Sequence, residues 1–452
     1  MSPETSPRAV LVGVQLPRVT DEEHAASFSE LGRLAKTLGL TVVARVTQKR
    51  ASLATAAVVG EGKLKDLARL TGGSGVVPSG GSGVVPSGVP AHRSRSDDTE
   101  SEADEEVTAP AERASVVLVD HDISPSQARN LERATGAEVL DRTAVILAIF
   151  QRHARSREAR LQVEIARLAY MAPRLRETGG GKDRQAGGIG GKGAGESQIE
   201  LDRRKIRDRI AELRHELKAI EQDAATRRRR RAAQPTVAIV GYTNAGKSSL
   251  MRALTGIDLL VADQLFATLD TTVRALQPET KPRILVSDTV GFIKKLPHDL
   301  VASFRSTLEE AREAALLLHV VDGADPAFPA QLAVTEQVLA EIDAADLPRV
   351  LLLNKMDKLD ASQRAALAQA YPQALLLSAK SPSDIAALHE RIVEFFEREM
   401  VEDELLVPYA RQRVVSEIHA SCRVLTEACD EAGTRLRVRA RPEVVARLRA
   451  TL

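Results

Sequence analysis

Gly241, Tyr242, Thr243, Asn244, Ala245, Gly246, Lys247 and Ser248 fall in the pattern GxxxxGK[ST]. The pattern follows an apolar run, Val237–Val240, and opens a stretch of helical periodicity. In that setting the glycines let backbone N–H groups turn inward around a β-phosphate. Lys247 supplies a point charge to β- and γ-oxygens, and the Ser248 hydroxyl suits Mg²⁺. Further segments follow the same logic. Asp288, Thr289, Val290 and Gly291 end the apolar run Ile284–Val286. Asp288 is placed to hold Mg²⁺ through its water shell, and the Gly291 N–H to meet a γ-phosphate. Asn354, Lys355, Met356 and Asp357 end Val350–Leu353. A carboxylate there accepts from the N1–H and the exocyclic amine of guanine, a pair of donors adenine does not offer. Ser378, Ala379 and Lys380 follow Leu375–Leu377 and can approach the guanine O6 through backbone N–H. All sit at the ends of strand-like runs, where open α/β sheets bind ligands. Together they predict guanine-nucleotide binding with Mg²⁺, against the blander reading of a glycine turn and solvated loop carboxylates.

A fifth segment is Phe266, Ala267, Thr268, Leu269 and Asp270. A threonine here can reach Mg²⁺ and the γ-phosphate, ordering its loop with the triphosphate and releasing it after hydrolysis. Thr271 and Thr272 are rivals to Thr268. Lys247, Thr268 and Gly291 are therefore the catalytic candidates, with Ser248 and Thr268 as metal ligands. Position 292 is phenylalanine. Ras-like enzymes orient the attacking water with a glutamine there, which phenylalanine cannot do. Slow hydrolysis by the isolated chain is expected, with activation by a partner that supplies a positioning group or closes the site. Asn244 has two readings, a K⁺ ligand or a plain hydrogen-bonding asparagine.

The elements that must position these groups are spread over 452 residues, too many for one ordinary domain. Residues 1–140 alternate strands (Val10–Val14, Thr41–Val46, Ser115–Val119) with helices (Glu22–Leu38, Lys63–Leu70, Ser126–Thr135). They are interrupted at 72–112 by a tandem GSGVVPSG repeat and an acidic tract, which cannot bury a core and read as a disordered insertion. Residues 141–234 read as one long helix, from about Asp141 to Arg176, a glycine-rich loop at 179–195, and a second helix from about Ser197 to Arg231. In the second helix Ile199, Ile206, Ile210, Leu213, Leu217 and Ile220 keep the 3-4 spacing of a helix-pair seam, which predicts an antiparallel hairpin. From 151 to 231 there are about 22 Lys/Arg against about 12 Asp/Glu, roughly +10 locally. Residues 235–400 alternate βα, as in a doubly wound, mostly parallel sheet. Residues 401–452 read as a small αβ domain with a helix over Arg413–Cys429 and an Arg-rich strand at Thr434–Arg439. The fold class expected is α/β throughout.

Net charge is +1, aromatic content is 3% and tryptophan is absent, which argues against a wholly basic nucleic-acid packager and against a stacking-based single-strand binder. No apolar run approaches the roughly 20 residues of a membrane span, and the first residues lack the marks of a secretory leader. Cys422 and Cys429, seven apart on one expected helix, are too far along its axis to pair and read as idle thiols in a reducing compartment. A cytoplasmic monomer is expected, with partial membrane association left open.

With these residues in hand, the sequence resembles the HflX family of ribosome-associated GTPases. The likeness covers nearly the whole chain outside 72–112. It rests on Gly60-Glu-Gly62-Lys63, Leu118-Val-Asp120, Ser124-Pro-Ser-Gln127, Asn130-Leu-Glu132 and Asp141-Arg-Thr143. It continues through Gly193-Ala-Gly195-Glu196-Ser-Gln198-Ile-Glu200, Asp202-Arg-Arg204, Phe266–Asp270 and Asp288–Phe292. The glycine-loop signature ahead of a Walker motif is specific to this family. The chain departs at Lys192, Ala194 and Thr271, where the family usually has Arg, Pro and Pro. The resemblance implies an N-terminal α/β domain with a long antiparallel helical hairpin, a P-loop GTPase domain and a small C-terminal domain. It further implies GTP-dependent binding to the large (50S) ribosomal subunit and its rRNA, and separation of stalled or idle ribosomes under stress. The hairpin then offers Arg174, Arg176, Lys182, Arg184, Lys192, Arg203 and Arg204 to RNA. The competing expectation is a GTP-loaded switch acting on a non-ribosomal protein, with hydrolysis as a timer.

Overall fold

The computed structural model describes residues 6–77, 113–175, 198–231, 234–256, 265–266, 272–294, 305–398 and 400–452. Most of the expected insertion, the glycine-rich loop with Arg176, Lys182, Arg184 and Lys192, and the segment holding Ala267, Thr268, Leu269, Asp270 and Thr271 lie outside the described residues. The chain divides into two compact units, Met1–Ala148 and Ile149–Leu452.

In the first unit, β1 (Arg8–Gln15), α1 (Asp21–Thr37), β2 (Thr41–Lys49), α2 (Glu61–Thr71), β3 (Val116–Val119), α3 (Pro125–Thr135) and β4 (Glu138–Asp141) follow in order. They form a parallel sheet of order β2-β1-β3-β4. Strand β3 is buried at every residue, as a continuous apolar run predicts for a sheet covered on both faces. The helices start where local chemistry dictates. Thr20 accepts from the Glu23 N–H and the Glu23 carboxylate accepts from the Thr20 N–H, a reciprocal cap. Ser124 and Gln127 repeat this ahead of Pro125. Gly60 precedes α2 and donates its N–H to Gln48 at 2.8 Å, so Gly60–Lys63 is a turn and helix start. The motif residues Asp120 and Arg142 form a buried ionic knot. Arg142 pairs with Asp120 at 2.6 Å and with Glu30, while the Ser27 hydroxyl donates to Asp120 at 2.6 Å. Each of these groups is buried, so removing Arg142 would take from two buried carboxylates the cation they share.

The single long helix expected from Asp141 is two. Helix α4 spans Arg142–His153 and α5 spans Arg157–Met171. Ser156 has extended backbone angles and its hydroxyl accepts from the Ala159 N–H at 3.1 Å, which starts a new helix. Asp141 belongs to β4. Helix α6 (Gln198–Arg231) lies against α5 through Leu161, Ile165, Leu213 and Leu217. Ion pairs Arg157–Glu216 (2.9 Å) and Arg209–Glu164 (3.4 Å) match rising with falling numbers, so the pair is antiparallel.

Next come β5 (Thr236–Gly241), α7 (Lys247–Thr255), β6 (Thr272–Ala275), β7 (Leu285–Asp288), α8 (Arg305–Arg312), β8 (Leu316–Asp322), α9 (Phe328–Glu341), β9 (Arg349–Asn354), α10 (Ala361–Ala370), β10 (Leu375–Leu376) and α11 (Pro382–Glu397). The sheet order is β10-β9-β8-β5-β7-β6, parallel except for the edge strand β6. Apolar clusters on either side carry Val237, Ile239 and Leu318 against Ala238, Val240 and Leu317, the period-2 split of a strand buried on both faces.

The last sheet is antiparallel, β11 (Val401–Val407), β13 (Gly433–Ala440) and β12 (Arg423–Asp430), with helices α12 (Arg413–Ser421) and α13 (Pro442–Thr451). The helix expected over Arg413–Cys429 stops at Ser421. Cys422 ends it, buried, and Cys429 stands on β12; both thiols are free. Pairing with β13 through a hairpin at Asp430–Gly433 overrides the helical periodicity of that stretch.

Candidate nucleotide site

Strand β5 delivers Gly241 to the sheet's carboxyl edge and α7 begins at Lys247. Between them Gly246 takes φ +98°, and a Cβ there would come within 2.2 Å of Asn354 Nδ2. Only glycine permits that turn against that neighbour. The Asn354 amide donates to Ala245 O (2.9 Å) and accepts from the Ala379 N–H (3.0 Å). One side chain thus ties the phosphate loop to the 378–380 segment. Lys355 donates to Asn244 O (2.6 Å) and pairs with Asp322 (2.8 Å).

Lys247 is buried and its ammonium donates to Tyr242 O at 2.8 Å. Desolvation pushes its pKa down to about 8; Asp288 works against this and Lys355 adds to it. It remains mostly a cation at neutral pH, aimed into a loop of backbone amides, where an anion would relieve it. Ser248 Oγ donates to Asp288 Oδ2 at 3.1 Å. A hydroxyl facing a carboxylate across the loop is the sparse, hard-oxygen donor set Mg²⁺ accepts while keeping most of its waters. Gly291 lies against the lysine, since a Cβ on it would meet Lys247 Nζ at 2.8 Å. Thr289 and Val290 turn inward: Thr289 Oγ1 donates to Ile239 O at 2.7 Å and Val290 is buried. Their side chains brace the segment. The Phe292 ring is buried among Ala238, Val240, Ala311, Ala314 and Leu317, so it has no part in aligning water.

At the far end of the cleft, Asp357 accepts from Ser378 Oγ (2.7 Å) and Lys380 Nζ (3.2 Å). Ser378 first, and then Lys380, hold its carboxyl below the usual range, so it stays an acceptor. Met356 is buried beside Phe328 and Leu353, anchoring the turn that presents Asp357.

The structure therefore brings together Gly241–Ser248, Asp288–Gly291, Asn354–Asp357 and Ser378–Lys380. Of the Phe266–Asp270 segment, Phe266 is described. It is buried at φ +58° with its ring edge-on to Phe150 at 4.6 Å, and His153 hydrogen-bonds its backbone. Phe150, His153 and Asp322 were not among the expected site residues. Asp322 carried a signal, an acid at the end of an apolar strand; the Phe150 contact joins positions 116 apart and leaves no local trace. On the hairpin, Arg174 stacks over Tyr170 at 3.6 Å and is half-buried, while Arg203 and Arg204 are exposed.

A parallel sheet whose inner strands end in a phosphate loop, an Asp-x-x-Gly turn and an Asn-Lys-x-Asp turn defines a P-loop GTPase domain. The model of a family described as a 50S ribosome-binding GTPase matches residues 236–355. Models described as the N-terminal and middle regions of a GTP-binding GTPase match residues 25–77 with 101–151, and 153–231. The GTPase HflX of Gluconacetobacter diazotrophicus is 59% identical over 99% of this chain and 98% of its own length. That of Caldanaerobacter subterraneus subsp. tengcongensis is 37% identical over 98% and 93%. A solved GTP-binding protein of Sulfolobus solfataricus, in complex with GDP, aligns over 86% of this chain and 98% of its own at 23% identity, TM-score 0.42. The chain belongs to the HflX GTPases and is a GTP-hydrolysing enzyme.

Proposed function

We propose that this GTPase engages the large ribosomal subunit in its GTP state and separates stalled or idle ribosomes under stress. The observation that carries this is the α5–α6 hairpin. Its apolar seam is turned inward, and residues 157–231 carry 20 Lys/Arg against 12 Asp/Glu, with five of the arginines in the run Arg227–Arg231 that ends α6. Lys and Arg displace condensed cations from RNA, and a glycine-rich tip permits close backbone approach. Arg174, Arg176, Lys182, Arg184, Lys192, Arg203 and Arg204 are the proposed RNA contacts. The family description of residues 236–355 as a 50S ribosome-binding GTPase supports the same reading.

In the nucleotide site, Gly241–Ser248 wrap the phosphates, Lys247 takes β/γ charge and Ser248 with Thr268 hold Mg²⁺, Asp288 acting through a water. Bound Mg²⁺ neutralises charge developing between the β- and γ-phosphates. The Gly291 N–H donates to the γ-phosphate. Asn354–Asp357 and Ser378–Lys380 select guanine. Because Phe292 is committed to the core, hydrolysis is slow until the ribosome completes the site. Asn244 is the candidate K⁺ ligand. The protein acts as a cytoplasmic monomer.

Cosedimentation with separated 30S, 50S and 70S particles tests this. The protein should pellet with 50S in a non-hydrolysable GTP analogue and remain in the supernatant with GDP. Replacing Lys182, Arg184 and Lys192 by Glu should abolish pelleting and leave GDP affinity intact. Equal pelleting with and without nucleotide would overturn the proposal.

A further inference from the structure

The segment after Gly291 runs alongside the phosphate loop and is fastened to it by successive hydrogen bonds. The Phe292 N–H donates to Gly241 O (3.1 Å), and the Thr243 N–H donates to Phe292 O (2.7 Å). One residue pair, Tyr242 and Phe292, forms a parallel bridge. Beyond these the Lys294 N–H donates to the Tyr242 hydroxyl at 2.7 Å. The Tyr242 side chain is buried, and its carbonyl is the group that receives Lys247. One residue of the phosphate loop therefore holds the lysine with its backbone and the 291–294 segment with its side chain.

We infer that Tyr242 is a positioning residue for the γ-phosphate: its hydroxyl fastens Lys294 and thereby sets the Gly291 N–H beside Lys247 before the triphosphate arrives. The inference rests on the phosphate-site assignment proposed above. Its consequence is a difference between nucleotides. GDP lacks the phosphate that Gly291 would meet, so holding Gly291 in place is irrelevant to it. GTP gains whatever ordering of Gly291 the protein has already completed. The aromatic ring and the carbonyl do other work, packing the loop and receiving Lys247, and phenylalanine keeps both.

Tyr242→Phe removes one oxygen. The loss of a neutral hydrogen bond predicts that affinity for a non-hydrolysable GTP analogue falls by about three- to ten-fold, while GDP affinity changes by less than about two-fold. The amide of Lys294 should exchange with solvent faster in the variant by a similar factor. If GTP-analogue and GDP affinities fall together, the hydroxyl serves only the fold of the loop and the inference is wrong. If neither moves, it is equally wrong. A second measurement needs no variant. In the wild-type chain the Lys294 amide should be protected with GDP and with the GTP analogue alike, and exchange at the free-peptide rate in both would overturn the inference. Lys247→Ala separates this from the site assignment: GDP affinity that survives that change removes the phosphate site itself, whatever Tyr242→Phe does.

Discussion

Two side chains of the GTPase sheet show how a residue's type can exclude it from chemistry. Phe292 occupies a position where water could be aligned, and its ring goes into the core. His319 is the complementary case, an ionisable group held neutral. It sits mid-strand in β8, in register with Val240 and Leu351, buried, and its Nε2 has no hydrogen-bond partner among the described residues. Desolvation, with a smaller push from Arg349, lowers its pKa to about 4. A histidine whose folded pKa lies below its unfolded value of about 6.5 leaves stability untouched above that value. As pH falls from about 6.5 to 4 the unfolded chain takes up a proton the folded chain refuses, and stability drops by up to about 1.4 kcal/mol per pH unit. Urea unfolding of wild type and His319→Leu should therefore diverge on acidification. The wild type should lose about 3 kcal/mol more between pH 7 and 4 than the variant; parallel curves would show that His319 is not the group responsible. At this scale the sequence conveys much. That Gly246, Lys247, Asp288, Asn354 and Asp357 meet at one end of the sheet was legible, because residue type and spacing at the ends of apolar runs predict it. Tyr242 with Lys294, and Phe150 with Phe266, were not, because those contacts join distant positions that no local pattern links.

Among elements, the ones recovered from sequence are those whose pattern is decided locally. The capped helices α1 and α3 and the mostly apolar, buried strands β1, β5 and β8 are of this kind. The ones missed or misread are set by partners. Strands β4, β6 and β11 are short or lie at a sheet edge, and β12 exposes most of its residues, so tertiary pairing decides their state. The break between α4 and α5 is an intermediate case. Its signal, Ser156 three residues ahead of an alanine N–H, is present in the sequence but is outweighed by continuous apolar periodicity on both sides. Ser156→Ala should expose how much that cap holds. A lost N-cap costs about 1 kcal/mol, so amides in the first turn of α5 should exchange about five-fold faster. Nucleotide affinity should be unchanged, because the cap bond joins Ser156 to the Ala159 N–H, neither of them among the expected nucleotide-site residues. Unaltered exchange at Ala159 would show that packing of the hairpin, rather than the hydroxyl, starts the helix.

Over the whole molecule the decisive quantity is how charge is distributed. The chain carries +1, yet residues 151–231 hold about +10, which leaves the remainder distinctly acidic. A uniformly basic protein would adhere to any nucleic acid. This one concentrates its positive charge in residues 151–231 and leaves a net negative charge on the rest of the sequence, so the long-range attraction for a polyanion is local to that stretch. If the hairpin binds rRNA, each phosphate it neutralises releases condensed counterions, and the logarithm of the binding constant falls linearly with the logarithm of salt. Each contact adds about 0.7–0.9 to that slope. Replacing Lys182, Arg184 and Lys192 by Gln should therefore flatten the slope for 50S binding by about 2–3, while three Arg→Gln changes on the outer face of β13, at Arg435, Arg437 and Arg439, should leave it nearly unaltered. Those last arginines are already paired, Arg435 and Arg437 with Glu404 and Glu402 on β11 and Arg439 with Glu397 at the end of α11, so they have little charge to offer. Titrations at fixed Mg²⁺ over a tenfold range of monovalent salt measure both slopes. A slope that falls with the β13 changes and not with the hairpin changes would move the ribosomal contact from the hairpin to the C-terminal sheet.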